Sequence, residues 1–325
     1  MTAVGYALSS EEHRANDLVR HAARAEEAGF TFAVISDHYH PWLDRQGQSP
    51  FVWSVLGAIA HATERLRIGT GVTCPTVRIH PAIVAQAAAT TASMMPGRFF
   101  LGLGTGERLN EHILGTAWPE WEVRAEMLAE AVGVIRELWQ GDMVSHSGPH
   151  YTVEDARVYT LPDRLPPIYL AAGGSRAAAE AARLGDGLIG TAPERALLTA
   201  YGDAGGHGPR IGQVTVCWAA TEAEARRTAR EWWPTVAIHG GASQELATPA
   251  QFEDLTASVT EDQVAELVPC GPDPQRHLAK IREYLDAGYD DIYIHQIGPD
   301  QAGFLRFAEG ELLPALQREV LRLAS

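Results

Sequence analysis

The chain has 325 residues, 46% of them hydrophobic and 21% charged, the make-up of a globular protein able to bury a large core without disulfides. With 26 basic against 41 acidic side chains its formal charge is −15, which argues against nucleic acid as a partner, because a phosphate backbone demands clustered Lys and Arg. Three scattered cysteines, Cys74, Cys217 and Cys270, have neither zinc spacing nor disulfide density; no segment approaches the roughly 18 apolar residues of a membrane span, and no leader pattern opens the chain, so a reduced, cytoplasmic protein is expected.

Short apolar runs alternate with amphipathic stretches along the whole length. Residues 4–8 read as a strand and residues 11–28 as a helix closed by Gly29, a common C-cap residue. Residues 32–35 form the next strand, followed by a polar loop and a helix over 50–63. Residues 66–70 make the third strand, and Pro81 opens a helix at a position where proline is tolerated. The fourth strand is 99–103, with a helix over 123–139 after a loop. Strands at 168–171, 187–189, 213–218 and 291–295 complete a set of eight, with a helix over 176–184 behind the fifth. Strands alternating with helices at this spacing imply parallel βαβ units, and eight of them imply a single-domain α/β fold over 1–325, the closed (β/α)8 TIM barrel. A doubly wound open sheet is the structural alternative. Two segments break the rhythm. Residues 142–161, with Gly148-Pro149 inside, read as a hairpin, and 237–268 as a long insertion; insertions in barrels sit at the catalytic rim and shape access.

In such a barrel the chemistry gathers at the carboxyl ends of the strands. After the second strand comes Ser36-Asp37-His38-Tyr39-His40-Pro41-Trp42; after the third, Gly69-Thr70-Gly71-Val72-Thr73-Cys74-Pro75-Thr76; after the fourth, Gly104-Thr105-Gly106-Glu107-Arg108-Leu109-Asn110-Glu111. After the fifth, Ala171-Ala172-Gly173-Gly174-Ser175 offers bare amides at a helix N-terminus, a seat for phosphate. Singly, each has a plain structural reading: a hydrogen-bonded Asp-His pair, glycines in a tight turn, a packed tryptophan. Jointly, at four successive strand ends, they describe one site. His38 and His40 lie two apart in a loop without a third ligand nearby, so no metal site is expected.

The combination resembles the luciferase-like flavin and deazaflavin oxidoreductases, in the branch of F420-dependent glucose-6-phosphate dehydrogenases. The matching residues are Ser36-Asp37-His38-x-x-Pro41-Trp42, Gly69-Thr70-x-Val72-x-x-Pro75-Thr76, Pro96-Gly97-Arg98 and the run 100–111. They continue through Tyr169-x-Ala171-Ala172-Gly173-Gly174 and Gly185-Asp186-Gly187. The resemblance implies coenzyme F420 as cofactor, with FMN as the alternative. It implies that Asp37, Gly71, Val72, Thr105, Gly106, Asn110, Gly173, Gly174 and Thr191 bind that cofactor, Gly71-Val72 as a backbone bulge often made by a non-proline cis peptide. It assigns His38 as catalytic base, Trp42 as stabiliser of the charged intermediate, Glu107 as the acid that protonates the deazaflavin and Glu11 as a further active-site carboxylate. The residue types suit the task independently: an imidazole titrates near neutrality, and a desolvated carboxyl can hold a proton there.

Departures from that branch bear on the substrate. The two lysines and the arginine by which sugar-phosphate dehydrogenases of the branch hold phosphate are missing: the corresponding segments read Ala192-Pro193-Glu194, Phe252-Glu253-Asp254 and Leu267-Val268-Pro269. Arg195, His239 or other residues of the insertion are the available substitutes, and Glu194 and Glu253 would repel a dianion. The expected enzyme is an F420-dependent oxidoreductase moving hydride between the deazaflavin and a small unphosphorylated alcohol, lactol or carbonyl compound. Its rivals are a glucose-6-phosphate dehydrogenase with a rebuilt phosphate site, an FMN-dependent monooxygenase and a non-catalytic cofactor-binding barrel. The expected partners are a small-molecule substrate and a second copy of the chain in a homodimer, with no nucleic acid and no membrane.

Overall fold

The structure, a computed structural model, describes residues 2–238 and 240–323; His239, named above as a stand-in cation, lies outside the described residues. Ten strands occur among them: β1 (Val4–Leu8), β2 (Phe32–Ile35), β3 (Arg67–Thr70), β4 (Phe99–Leu103), β5 (Val144–Ser147), β6 (Thr152–Ala156), β7 (Ile168–Ala171), β8 (Gly187–Gly190), β9 (Arg210–Val216) and β10 (Asp291–Gln296). All but β5 and β6 are parallel and close a barrel in the order β1-β2-β3-β4-β7-β8-β9-β10, with β10 pairing back onto β1. The fold is the (β/α)8 barrel, and β5 and β6 form the separate antiparallel hairpin.

Strand alternation sorts the side chains into two cores. Tyr6, Leu8, Ala33, Ile35, Leu101, Ile292 and Ile294 face outward. They meet helix residues such as Leu18 of α1 (Ala15–Ala28), Leu56 of α2 (Val52–Ala62) and Val84 of α3 (Pro81–Met94) in one continuous apolar shell. Phe32, Val34, Phe100, Tyr169, Ile189, Ile211 and Tyr293 face inward and plug the barrel. Each fully buried Leu, Ile or Phe in these layers contributes roughly 1.5–3 kcal/mol. Above the plug the strand ends carry small and polar residues, and the barrel opens. No helix among the described residues is long and apolar enough to cross a membrane.

The expected caps are in place. Gly29 sits at φ 101° behind α1, its amide donating to the Glu26 carbonyl while the Phe30 amide reaches Ala25. Pro81 is the first residue of α3. The boundaries differ in one respect that matters: α1 begins at Ala15, not at Glu11. Residues 9–13 form instead a buried loop over the mouth of the barrel. β9 likewise starts at Arg210 and ends at Val216, earlier than the expected 213–218.

The remaining helices are α4 (Arg108–Glu111), α5 (Trp121–Leu138), α6 (Ser175–Leu184), α7 (Arg195–Asp203), α8 (Glu222–Trp232), α9 (Ala242–Glu245), α10 (Pro249–Thr256), α11 (Glu261–Leu267), α12 (Pro274–Ala287), α13 (Gln301–Phe307) and α14 (Leu313–Leu323). The long segment between β9 and α12 is therefore mostly helical. Thr248 with Gln251, and Thr260 with Gln263, make capping boxes that start α10 and α11.

Candidate active site

At the carboxyl ends of the strands a cavity of about 300 Å³ opens. Its first wall comes from the loops after β1 and β2. Glu11 is buried, its Oε2 accepting from Ser36 Oγ at 2.6 Å and Ser9 Oγ at 3.1 Å, while Oε1 lies 3.3 Å from His38 Nε2. Burial pushes the Glu11 carboxyl up, but the adjacent His38 and the Ser36 hydrogen bond outweigh it and hold the group below its ordinary range. The His38 Nδ1–H donates to the His40 carbonyl at 3.2 Å, which leaves Nε2 facing the cavity. Trp42 packs its ring 4.9 Å from the imidazole.

The second carboxylate, Glu107, caps the start of α4 and places Oε2 at 3.7 Å from the same His38 Nε2. Desolvation raises its proton affinity above the ordinary carboxylate range, against the pull of His38. Asn110, expected to bind cofactor, already works within the protein: Oδ1 accepts the amides of Tyr39 at 2.9 Å and His40 at 3.2 Å, and Nδ2 donates to Glu107 Oε2 at 3.3 Å. It straps the His38 loop to α4.

Beneath lies a polar cluster that sequence reading saw only in part. Asp37 accepts from Thr73 Oγ1 at 2.7 Å and from the Arg78 guanidinium at 2.9 Å. Arg78 also reaches within 3.6 Å of Glu111, whose other oxygen takes the backbone amides of Val77 and Arg78. All three charged side chains are buried, so each needs the others. Burial raises the Glu111 carboxyl despite those amides.

The wall made by β3, β4 and β7 is smooth. The Gly71-Val72 peptide is cis. A Cβ on Gly71 would lie 2.2 Å from Val34 and one on Gly104 2.7 Å from Val72, so a side chain at either position would force its neighbour to shift. Gly106, at φ 86°, turns the chain into α4. Gly173 and Gly174 lead into α6 with open space beside each Cα, which leaves their amides reachable. Thr105 and Thr191 complete this side. Of the thirteen residues singled out from sequence, the structure brings twelve onto the cavity wall; Gly174, the N-cap of α6, stands just off it.

A fourth wall was not anticipated. Gln213 of β9, Tyr293 and His295 of β10 and Trp233 behind α8 line the cavity opposite the glycines. Their signal was available: polar residues at inward positions near the ends of otherwise apolar strands. No Arg or Lys is among the lining residues. Arg195 is not among the lining residues; its guanidinium donates to the Asp286 carbonyl at the end of α12.

The sequence model of the luciferase-like monooxygenases matches residues 1–291, and the chain belongs to that family. Within it, the chain is 36% identical to an F420-dependent glucose-6-phosphate dehydrogenase of Microbacterium testaceum, covering 97% of each sequence. A second such dehydrogenase, of Mycobacterium avium, is 35% identical over 97% of this chain and 98% of its own length. Among solved structures, an F420-dependent secondary alcohol dehydrogenase in complex with an F420-acetone adduct superposes with a TM-score of 0.89 at 30% identity, covering 97% of this chain and 98% of that one.

Proposed function

We propose that the protein is a coenzyme F420-dependent oxidoreductase that takes hydride from a hydroxyl-bearing carbon of a small uncharged substrate, or returns it to the carbonyl. The observation that carries this reading is the Glu11–His38–Glu107 cluster facing a glycine-smooth wall in a cavity with no Arg or Lys among its described lining residues. The site fits the cofactor: a flat wall for a planar ring system, reachable amides at the N-terminus of α6 for phosphate, and on the same cavity a carboxyl, Glu107, whose proton affinity burial raises. Coenzyme F420, when bound, supplies the hydride acceptor that no side chain can provide.

The residues of the chain divide the proton work. With Nδ1–H committed to the His40 carbonyl, His38 Nε2, flanked by Glu11 and Glu107, is the nitrogen that takes the hydroxyl proton of the substrate. Glu11, kept ionised by His38 and Ser36, then stabilises the imidazolium at 3.3 Å. Glu107, whose proton affinity burial raises above the ordinary carboxylate range, would hold and exchange a proton beside the bound cofactor. Two carboxyls within reach of one imidazole thus take opposite roles, set by their surroundings. Trp42 covers the imidazole and excludes water from that side. Asp37 and Thr191, with Thr105 and Gly106, line the cavity where they would hold the cofactor.

The experiment is a titration with F420 and FMN followed by turnover with glucose 6-phosphate beside neutral compounds. Tight F420 binding is expected; clearly tighter FMN binding would sink the reading in favour of a monooxygenase. Glucose 6-phosphate is expected to be poor, since each charge-assisted phosphate contact is worth about 1.5–3 kcal/mol and losing two or three lowers kcat/KM roughly 10³-fold or more. Arg195→Ala leaves that figure unmoved. The reading extends to a cytoplasmic homodimer, which light scattering of the purified protein tests.

A further inference from the structure

Residues 11 and 12 are neighbours on one loop, and the strand that feeds the loop, β1, lies between β2 and β10 in the barrel. Glu11 turns to the β2 side and meets His38. Glu12 turns to the β10 side and meets His295, with Oε2 at 3.4 Å from Nε2. The mouth therefore carries two carboxylate–imidazole pairs, one on each flank of β1, and the mechanism uses only the first.

The second pair belongs to a polar row. Register places Tyr293 beside Gln213 and His295 beside Thr215, and alternation turns all four into the barrel. Tyr293 OH donates to Gln213 Oε1 at 2.9 Å, Gln213 Nε2 donates to Thr215 Oγ1 at 3.4 Å, and Thr215 Oγ1 is 3.5 Å from His295 Nδ1. Glu12 Oε1 is anchored by the Gly298 amide at 3.0 Å. The contacts from Gln213 onward lie at the long limit of hydrogen bonding, where each is weak and leaves capacity for a better partner. Trp233 supports the imidazole edge-on at 4.4 Å, and Gln213 and His295 both border the cavity.

A closed barrel needs no such row for stability, because apolar residues of similar volume serve as well as a buried ion pair or better. Nor does oxidation of a single hydroxyl need it, because the Glu11–His38 side handles that proton. We propose that His295, positioned by Glu12, is a second substrate-contacting and specificity-determining residue. Together with Gln213 it reads a further hydroxyl, so the substrate is a neutral polyhydroxylated compound and not a simple mono-alcohol. The proposal rests on the oxidoreductase reading above.

The test compares F420-loaded wild type, His295→Phe, His295→Gln and Gln213→Leu on two panels: glucose, ribose, glycerol and inositol against 2-propanol, 2-butanol and cyclohexanol. F420 titration and circular dichroism certify each variant, and calorimetry of the best polyol on each protein measures binding apart from turnover. In wild type the best substrate comes from the hydroxyl-rich panel. His295→Phe lowers the polyol-to-mono-alcohol ratio of kcat/KM by 30-fold or more, chiefly through KM, and weakens polyol binding in parallel. His295→Gln restores part of it, and Gln213→Leu lowers the ratio independently should the histidine variant not fold. A mono-alcohol as best substrate, or equal losses on both panels, overturns the proposal alone. F420 binding without turnover of either panel overturns the parent reading and this one with it.

Discussion

The two halves of the barrel mouth are built from the same element and do opposite things. Along β3, β4 and β7 the inward positions at the strand ends are Gly71, Gly104 and Ala171, and the surface is bare. Along β9, β10, β1 and β2 they are Gln213, His295, Ser9 and Ser36, with Glu11, Glu12 and His38 just beyond, and the surface carries carboxylates, imidazoles and hydroxyls. The parallel strand framework is the same in both, apart from the cis Gly71-Val72 peptide on the bare side. The difference lies mainly in which side chains occupy the inward half of each alternation. One half presents area to a flat ligand, and the other positions charge.

If that division is right, damage to the two halves has different signatures. The largest effect is expected from the titratable half: His38→Ala should lower kcat roughly 10²–10⁴-fold while F420 affinity stays nearly constant. Wild-type turnover in that variant would show that another group takes the proton. The smooth half should give the reverse. Gly104→Val forces a Cβ to within 2.7 Å of Val72; overpacking of this kind costs about 1–3 kcal/mol, and here it should appear as roughly 10–100-fold weaker F420 binding. Unchanged affinity, read by fluorescence titration, would mean that the glycines serve only the turn.

The smallest effect is a difference in pH dependence between the two carboxyls near His38. The Glu11 carboxyl is depressed in the fold, so the stability it contributes is present above its ordinary value of 4.5 and is lost as pH falls through the depressed one. The Glu107 carboxyl is raised, so its contribution is complete below 4.5 and is lost as pH rises through the raised value. Melting temperatures of Glu11→Gln and Glu107→Gln across that range should therefore diverge from wild type in opposite senses. Parallel curves would show that the two carboxyls share one environment.

Much of the architecture was legible because it rests on local rules. Short apolar runs marked the barrel strands, with β9 set a few residues late, and Gly29 and Pro81 stand where capping chemistry puts them. Reading residues 11–28 as helix failed at its start for a physical reason. Glu11, Glu12 and His13 are competent helix formers, but pairing with His38 and His295 and burial in the mouth override propensity. The site was legible where its parts cluster in sequence, as in Ser36-Asp37-His38 or Thr105-Gly106-Glu107. It was illegible where partners are far apart: Arg78 meets Asp37 41 residues away, and His295 meets Glu12 across 283. Periodicity carries no record of such pairs. The helices of the insertion were readable after all, from Thr248 with Gln251 and Thr260 with Gln263.

Phe252 of α10 is fully buried against Trp42, Leu43 and Leu109, at the edge of the loop that holds His38. Gln46, in that same stretch, donates to the Trp232 carbonyl at the end of α8. The helical segment after β9 is thus moored to the His38 loop through Phe252 and Gln46, and to the barrel through the buried cluster of Ala225, Ala229 and Val264 with Cys217 and Ile297. Its exposed positions are free to drift, and so to remodel what enters the cavity, provided an aromatic wedge remains at 252. Selection for new substrates can then act on one stretch of chain without disturbing the machinery for proton transfer, and a designer can follow the same route.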